Sequence, residues 1–318
     1  MKIVVLDGAT LNSGDLSWEP LKKLGEIEIY ERTFPNETVE RCKDAEIVIT
    51  NKVKFPKEII DKLPKLKYIG VVATGYNVID IDATNKRGIV VTNAPSYSTM
   101  SVAQMVFSFL FHITNHVADY DKQNKEGKWV ASKDFTYRNE PIIELSGKTF
   151  GIYGMGNIGK VVAQIALTLG MNVIAKTSKD MSQLPNGVKP VTFEELLQQS
   201  DVLSLHCPLT PETTQLINKE TLSKVKPTAI IINTARGPII NENDVAQALK
   251  ENHLGAFCAD VLSVEPPTQD NPLLSAPRCY TTPHIAWASF EARQRLMGII
   301  TENVRQFING KPVNIVRS

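Results

Sequence analysis

Short apolar runs recur along this chain, separated by stretches of helical spacing. That rhythm constrains the fold more than any other feature. The runs fall at residues 2–6, 47–50, 68–72 and 90–92, then at 150–153, 173–176, 202–205, 229–233, 256–259 and 279–281. They are rich in Val, Ile and aromatic residues and are bounded by Gly, Pro, Asn or Asp, as strands are. Several lack polar alternation, which is how strands read when a parallel sheet is covered by helices on both faces. Strand and helix in alternation predict an α/β chain built from doubly wound parallel sheets.

A length of 318 residues suits two such lobes. Turn-rich segments at 93–99 and 138–147, with helices starting near Met100 and Ser289, predict the division. Residues 1–99 form a first lobe and 100–286 a second, larger one. Residues 287–318 return to the first. Hydrophobic residues make up 42% and charged residues 22%, as in an ordinary globular protein. Thirty-five basic against 34 acidic side chains leave a net charge of +1, so there is no global field for nucleic acid or an anionic membrane. The N-terminus meets Asp7 too early for a signal peptide. The apolar stretch 101–118 contains Gln104, His112, Asn115 and His116, which predicts a buried helix rather than a membrane span. Cys42, Cys207, Cys258 and Cys279 form no C-x-x-C pair. They read as buried thiols without metal or disulfide, in a reducing, cytoplasmic setting.

Gly154, Gly156 and Gly159 form G-x-G-x-x-G directly after the run at 150–153. Ile158, Val162, Ile165, Ala166 and Leu169 then share one helical face, and Gly170 closes the helix. In that setting the first glycine allows a tight turn and the second lets backbone approach a pyrophosphate. The third lets helix pack on strand, and the helix N-terminus faces the anion. The larger lobe therefore reads as a Rossmann-type NAD(P)-binding domain. An NAD site ordinarily places Asp or Glu about 20 residues on, at the end of the next strand. Here that strand ends Lys176-Thr177-Ser178-Lys179, with no carboxylate at Thr177. Two hydroxyls and two lysines suit a 2′-phosphate, which tilts the cofactor toward NADP(H) over NAD(H). Simply solvated lysines, or an inward swing of Asp180, are the alternatives.

Three titratable or charged residues follow successive strands of the same lobe. Arg236 follows 229–233, Glu265 follows 256–259, and His284 follows 279–281. Ligands of open α/β sheets bind outside the carboxyl ends of the strands. Reduction of a 2-oxo acid needs a hydride at carbon and a proton at oxygen. A histidine can hold that proton, and a neighbouring carboxylate orients the imidazole and favours its charged form. An arginine binds the substrate carboxylate and polarises the carbonyl. Each residue taken singly is an ordinary strand-end residue; the set behind a nucleotide turn is a reaction centre.

Over essentially its whole length the chain resembles the D-isomer-specific 2-hydroxyacid dehydrogenase family. Beyond the glycines, the resemblance lies in His206-Cys207-Pro208-Leu209-Thr210 with Thr213, Thr234-Ala235-Arg236-Gly237, Asp260-Val261 through Glu265-Pro266, and Pro283-His284. It implies Arg236, Glu265 and His284 as the catalytic set. It implies that Gly154, Gly156, Asn157, Ile158, Gly159, Thr177, Cys207, Pro208, Thr213, Thr234 and Ala235 surround NAD(P)(H), with Arg236 and His284 beside them. Asn157 and Ile158 would meet the pyrophosphate and Asp260 the nicotinamide carboxamide. The resemblance makes the first lobe, residues 1–99, the substrate-binding one, where Thr74 and Gly75, in the turn 73–77, would hold the substrate carboxylate through backbone amides. Asn51 is either a substrate residue or part of a strand-end turn. Trp287 either walls the pocket or packs a connecting helix, and His206 reads as a structural strand-end residue. Segments 6–18, 50–53, 97–104 and 284–288 are most similar to the glycerate dehydrogenase (hydroxypyruvate reductase) branch. The resemblance further implies a homodimer through the helix at 101–118 and the segment 128–138. The competing readings are another small 2-oxo acid as substrate (glyoxylate, a bulkier acid, phosphoglycerate) or a non-catalytic, corepressor-like binding protein.

Overall fold

The computed structural model describes residues 1–317. The chain folds into two units. Residues 1–98 and the stretch from Ala288 onward form one; Thr99–Trp287 form the other.

The first unit holds β1 (Lys2–Val5), β2 (Glu26–Ile29), β3 (Ile47–Thr50), β4 (Tyr68–Val71) and β5 (Val90–Thr92). They pair in the order β2-β1-β3-β4-β5, every pair parallel. That is a doubly wound sheet whose strand order reverses between β1 and β3. Val4, Val48, Ile69 and Val91 face one core. On the other face the Phe290–Ile308 helix lays Phe307 against Tyr68, with ring centroids 4.7 Å apart. Tyr68 is fully buried, and its hydroxyl is satisfied by Thr92 at 2.5 Å. The helix begins at Ser289, whose hydroxyl accepts the Ala292 amide at 3.2 Å, as an N-cap should.

Its first turn also carries Arg293, which grips Asp15 in a two-pronged pair at 2.7 and 2.6 Å. The guanidinium holds the Asp15 carboxyl down to about 2. A carboxylate whose folded value lies below its unfolded 3.8 stabilises above that pH and loses the contribution as pH falls through the folded value. The Tm difference between wild type and Asp15→Asn, measured by calorimetry, is therefore expected to close between pH 4 and 2. A gap constant over that interval would show that the pair acts through something other than its charge.

The second unit holds β6 (Thr149–Tyr153), β7 (Asn172–Lys176), β8 (Val188–Pro190), β9 (Val202–Leu205), β10 (Ile230–Asn233), β11 (Ala256–Ala259) and β12 (Cys279–Thr281). Their order is β12-β11-β10-β9-β6-β7-β8, again all parallel. The order reverses between β6 and β9. Both faces are buried: Ile230 and Ile232 enter one core while Ile231 enters the other. Each such side chain contributes roughly 1.5–3 kcal/mol on full burial. Two parallel α/β sheets, the larger of Rossmann order, are the expected architecture.

Other expectations are corrected. β2 and β8 are absent from the apolar-run reading. Both are edge strands: β2 alternates Glu with Ile and is nowhere fully buried, and β8 contains Pro190. The helix expected over 101–118 spans Thr99–Asn115. It breaks at His116, which adopts a left-handed φ of 51°, and Val117 beyond it is 70% exposed. Cys42, Cys207 and Cys258 are buried, but Cys279 is only half-buried, because β12 is the edge of its sheet. No helix among the described residues is long and apolar enough to cross a membrane.

Candidate active site

The turn after β6 gives each glycine a separate reason. Gly154 has φ 101°, and a Cβ there would lie 2.7 Å from the His206 carbonyl oxygen at the exit of β9. A Cβ on Gly159 would lie 2.2 Å from the Gly154 oxygen, so helix and turn touch only through a bare Cα. A Cβ on Gly156 would meet nothing within 4 Å. Gly156 is thus open ground at the N-terminus of the Asn157–Thr168 helix, which has no side-chain cap. Asn157 and Ile158 open that helix; the Ile158 side chain packs on the core, leaving its backbone to face an anion. Uncapped amides, positive helix end and unobstructed approach fit a pyrophosphate at the strand-order switch point.

Around this turn the neighbouring strand exits are shaped by their own hydrogen bonds. After β7, the half-buried Thr177 accepts the Lys179 amide at 3.1 Å. After β9, the His206 ring pairs with Ser204 at 2.8 Å, and burial pushes it down to about 4. It is neutral near pH 7 and serves as a strand-end prop. The neighbouring Cys207 thiol is buried and pushed up to about 11. Thr213 donates to the Pro208 carbonyl at 2.7 Å and accepts the Thr210 amide at 2.7 Å. Thr213 and Pro208 therefore act by closing a loop. After β10, the buried Thr234 hydroxyl has no partner among the described residues. An orphaned buried hydroxyl costs free energy unless a ligand completes it.

Arg236 stands on the same turn. It is exposed, with one guanidinium N–H on the Ala235 carbonyl at 2.7 Å. Sequence reasoning missed what shapes this turn. The buried Asn233 amide accepts the Ala235 N–H at 3.0 Å and donates to the Arg236 carbonyl at 2.9 Å. A strand-end Asn preceding a small residue was the available signal.

Glu265 and His284 are brought together. Glu265 Oε2 and His284 Nδ1 are 2.6 Å apart, with side chains 33% and 28% exposed. A carboxylate only accepts, so Nδ1 carries the hydrogen and Nε2 is left for other chemistry. Oε1 of Glu265 accepts the Leu262 amide at 3.0 Å, which fixes the carboxylate in turn. His284 itself has φ 54°, a conformation that costs a non-glycine residue about 1–2 kcal/mol. Asp260 over-determines it. This buried carboxylate accepts the Thr282 hydroxyl at 2.6 Å and the Ile285 and Ala286 amides at 2.8 Å each. Burial raises Asp260 above the usual carboxylate range against the pull of those donors. Most of its hydrogen-bonding capacity goes to the loop that carries His284. Trp287 donates its indole N–H to the His284 carbonyl at 2.8 Å.

In the first unit, Asn51 and Thr74 follow β3 and β4. Asn51 is buried; its backbone amide lies 2.9 Å from the Asp7 carboxylate and its side chain donates to Thr10 at 3.2 Å. Burial raises Asp7, which also takes the Lys52 amide at 2.6 Å. Asp7 is a support that sequence reasoning passed over. Thr74 is exposed and donates to the Ala94 carbonyl at 3.0 Å, with Gly75 half-buried beside it.

The D-isomer specific 2-hydroxyacid dehydrogenase NAD binding domain matches residues 107–286. A hydroxypyruvate reductase of Blautia hydrogenotrophica is 46% identical over 320 residues, covering 99% of both chains. A glycerate dehydrogenase of Methylorubrum extorquens is 40% identical over 320 residues, covering 100% of this chain and 99% of that protein. Among solved structures, the acyclic imino acid reductase Bsp5, in complex with NADPH and D-Arg, has a TM-score of 0.86 at 30% identity over the full length of both chains. On these grounds the chain belongs to the D-isomer-specific 2-hydroxyacid dehydrogenase family.

Proposed function

We propose that this oxidoreductase reduces hydroxypyruvate to D-glycerate, with NADP(H) favoured over NAD(H). The observation that carries the reading is the Glu265–His284 pair, which with Arg236 follows three adjacent strands of the glycine-turn sheet. The 46% and 40% identical relatives support the choice of substrate. When bound, the nicotinamide supplies a hydride to C2 of the 2-oxo acid.

The chain's own residues do the rest. His284 holds the proton for the carbonyl oxygen at Nε2, because Nδ1 is committed to Glu265. Glu265 keeps the ring oriented and balances its charge when protonated. Arg236 binds the substrate carboxylate and polarises the carbonyl. Gly154, Gly156, Asn157, Ile158 and Gly159 hold the pyrophosphate. The Thr234 hydroxyl and the Ala235 backbone complete the cofactor pocket, and the Cys207, Pro208 and Thr213 loop borders it. Asp260 supports the nicotinamide side by holding the His284 loop. Thr74, Gly75 and Asn51 of the first unit belong to the substrate in the same reading.

Two further assignments belong to this reading. The protein forms a homodimer, for which Trp129, Val130 and Phe135 offer apolar surface at 54%, 91% and 89% exposure. It works in the cytoplasm, where free thiols such as these persist.

Nicotinamide absorbance with hydroxypyruvate, NADPH and NADH compared side by side, tests the proposal. Turnover is expected with both and faster with NADPH; none with either cofactor would remove the hydroxypyruvate assignment. The preference is placed on Lys176, Thr177 and Lys179, since neither lysine enters an ion pair among the described residues. Thr177→Asp puts a carboxylate where a ribose 2′-hydroxyl is welcome and a 2′-phosphate repelled. The NADPH/NADH ratio of kcat/KM is expected to drop about 10–100-fold, the equivalent of ~1–3 kcal/mol of charge repulsion. An unchanged ratio would place the discrimination elsewhere.

A further inference from the structure

The left-handed turn at His284 is held from three directions. Asp260 takes the amides of Ile285 and Ala286. The Ser101 hydroxyl donates to the Ala286 carbonyl at 2.6 Å. Trp287 reaches back and donates its indole N–H to the carbonyl of His284 itself, at 2.8 Å. Two of these ties act on the peptide unit that leaves His284: Asp260 accepts its N–H, which belongs to Ile285, and the indole donates to its carbonyl. Together they fix how that peptide plane is turned and so the rotation about the His284 Cα–C bond, the indole being the tie on its carbonyl oxygen. With φ at 54°, that rotation has few tolerated values, and the ring direction is set by the backbone. Since Nδ1 is pinned to Glu265, a turned backbone would either break that bond or swing Nε2 away.

We propose that Trp287 is a positioning residue for His284, acting through its indole N–H. The inference rests on the proposed role of His284 as proton donor. It differs from the two roles open to a tryptophan here, a wall of the substrate pocket or a packing ring, because both of those need the ring and not the N–H.

The test removes the N–H while keeping the ring. Trp287→Phe does so approximately. Replacement of Trp287 by 3-benzothienylalanine, encoded at that codon, does so at almost unchanged shape. Both are assayed with NADPH against hydroxypyruvate and glyoxylate. The expected result is a fall in kcat of about 10–100-fold in both variants, as misplacement of a catalytic group by about an ångström produces. KM for NADPH and the hydroxypyruvate/glyoxylate ratio of kcat/KM stay at wild-type values. In the His284→Asn background the benzothienyl replacement adds no further loss, because it acts through the missing ring. A wild-type kcat in the benzothienyl variant overturns the proposal. So does a change confined to KM or to the substrate ratio, which would make the ring a pocket wall.

Failure of the functional reading itself shows in the wild type, as absence of turnover with every 2-oxo acid tried. The positioning claim then stands or falls on proton NMR. The Nδ1–H of His284 in its bond to Glu265 gives a low-field resonance that is expected to broaden or vanish in both variants. A resonance unchanged in the benzothienyl variant overturns the proposal irrespective of activity.

Discussion

His284→Asn is expected to lower kcat for 2-oxo acid reduction by about 10²–10⁴-fold, the range for loss of a general acid. The dissociation constant for NADPH, read by fluorescence titration, is expected to stay at the wild-type value. Asparagine is the more informative replacement because it tolerates the left-handed φ of 54° that alanine resists. A loss in His284→Asn thus reports the imidazole rather than the turn. Glu265→Gln is expected to fall short of the same loss. Leu262 and His284 bond different oxygens of the carboxylate, and the single amide oxygen can stand in for one of them only, so the ring stays present and poorly held. Equal kcat in wild type and His284→Asn would remove His284 from the chemistry, whatever Glu265→Gln does.

The order of legibility along the chain follows burial. Central strands such as β9, β10 and β11 are apolar at nearly every buried position, so their presence and parallel pairing can be read from composition over four residues. Edge strands have one neighbour and one open side. Glu26 and Glu28 in β2 and Pro190 in β8 are tolerated there and hide the strand. The glycine turn was legible because sterics are local: Gly154 and Gly159 answer to backbone atoms a few residues or one strand away. The strand-exit positions of Arg236, Glu265 and His284 were legible for a related reason, since each follows a recognisable strand.

The hydrogen bonding that supports them could not be read. Asp260 meets the amide of Ala286 across 26 residues of sequence, and Asp7 meets that of Asn51 across 44. No spacing rule links such pairs until the sheet places their strand ends side by side. Asn233 and Thr213 bond within a few residues, but a loop-closing amide or hydroxyl looks the same in sequence as a ligand-binding one.

Arg236→Gln is expected to lower kcat/KM for hydroxypyruvate by about 10²–10³-fold, the loss typical of a removed donor to developing negative charge. The reason lies in how the guanidinium is presented. One of its five N–H groups is spent on the Ala235 carbonyl, which sets its direction, and the others remain for a carboxylate. Arg236→Lys restores the charge without the planar fork, so it is expected to recover only part of the loss. Added guanidinium should raise the rate of Arg236→Gln but not that of His284→Asn. An Arg236→Gln variant with wild-type kcat/KM would place the substrate carboxylate on other residues. The neighbouring Gly237 explains why this arginine and the Glu265 loop work as a unit. A Cβ on Gly237 would fall 2.0 Å from the Leu262 carbonyl carbon, so only a bare Cα lets the two loops touch. Leu262 in turn donates its amide to Glu265. The loops that carry Arg236 and Glu265, the groups proposed to bind the substrate and to orient the proton donor, therefore meet backbone to backbone, and neither can shift without pressing on the other.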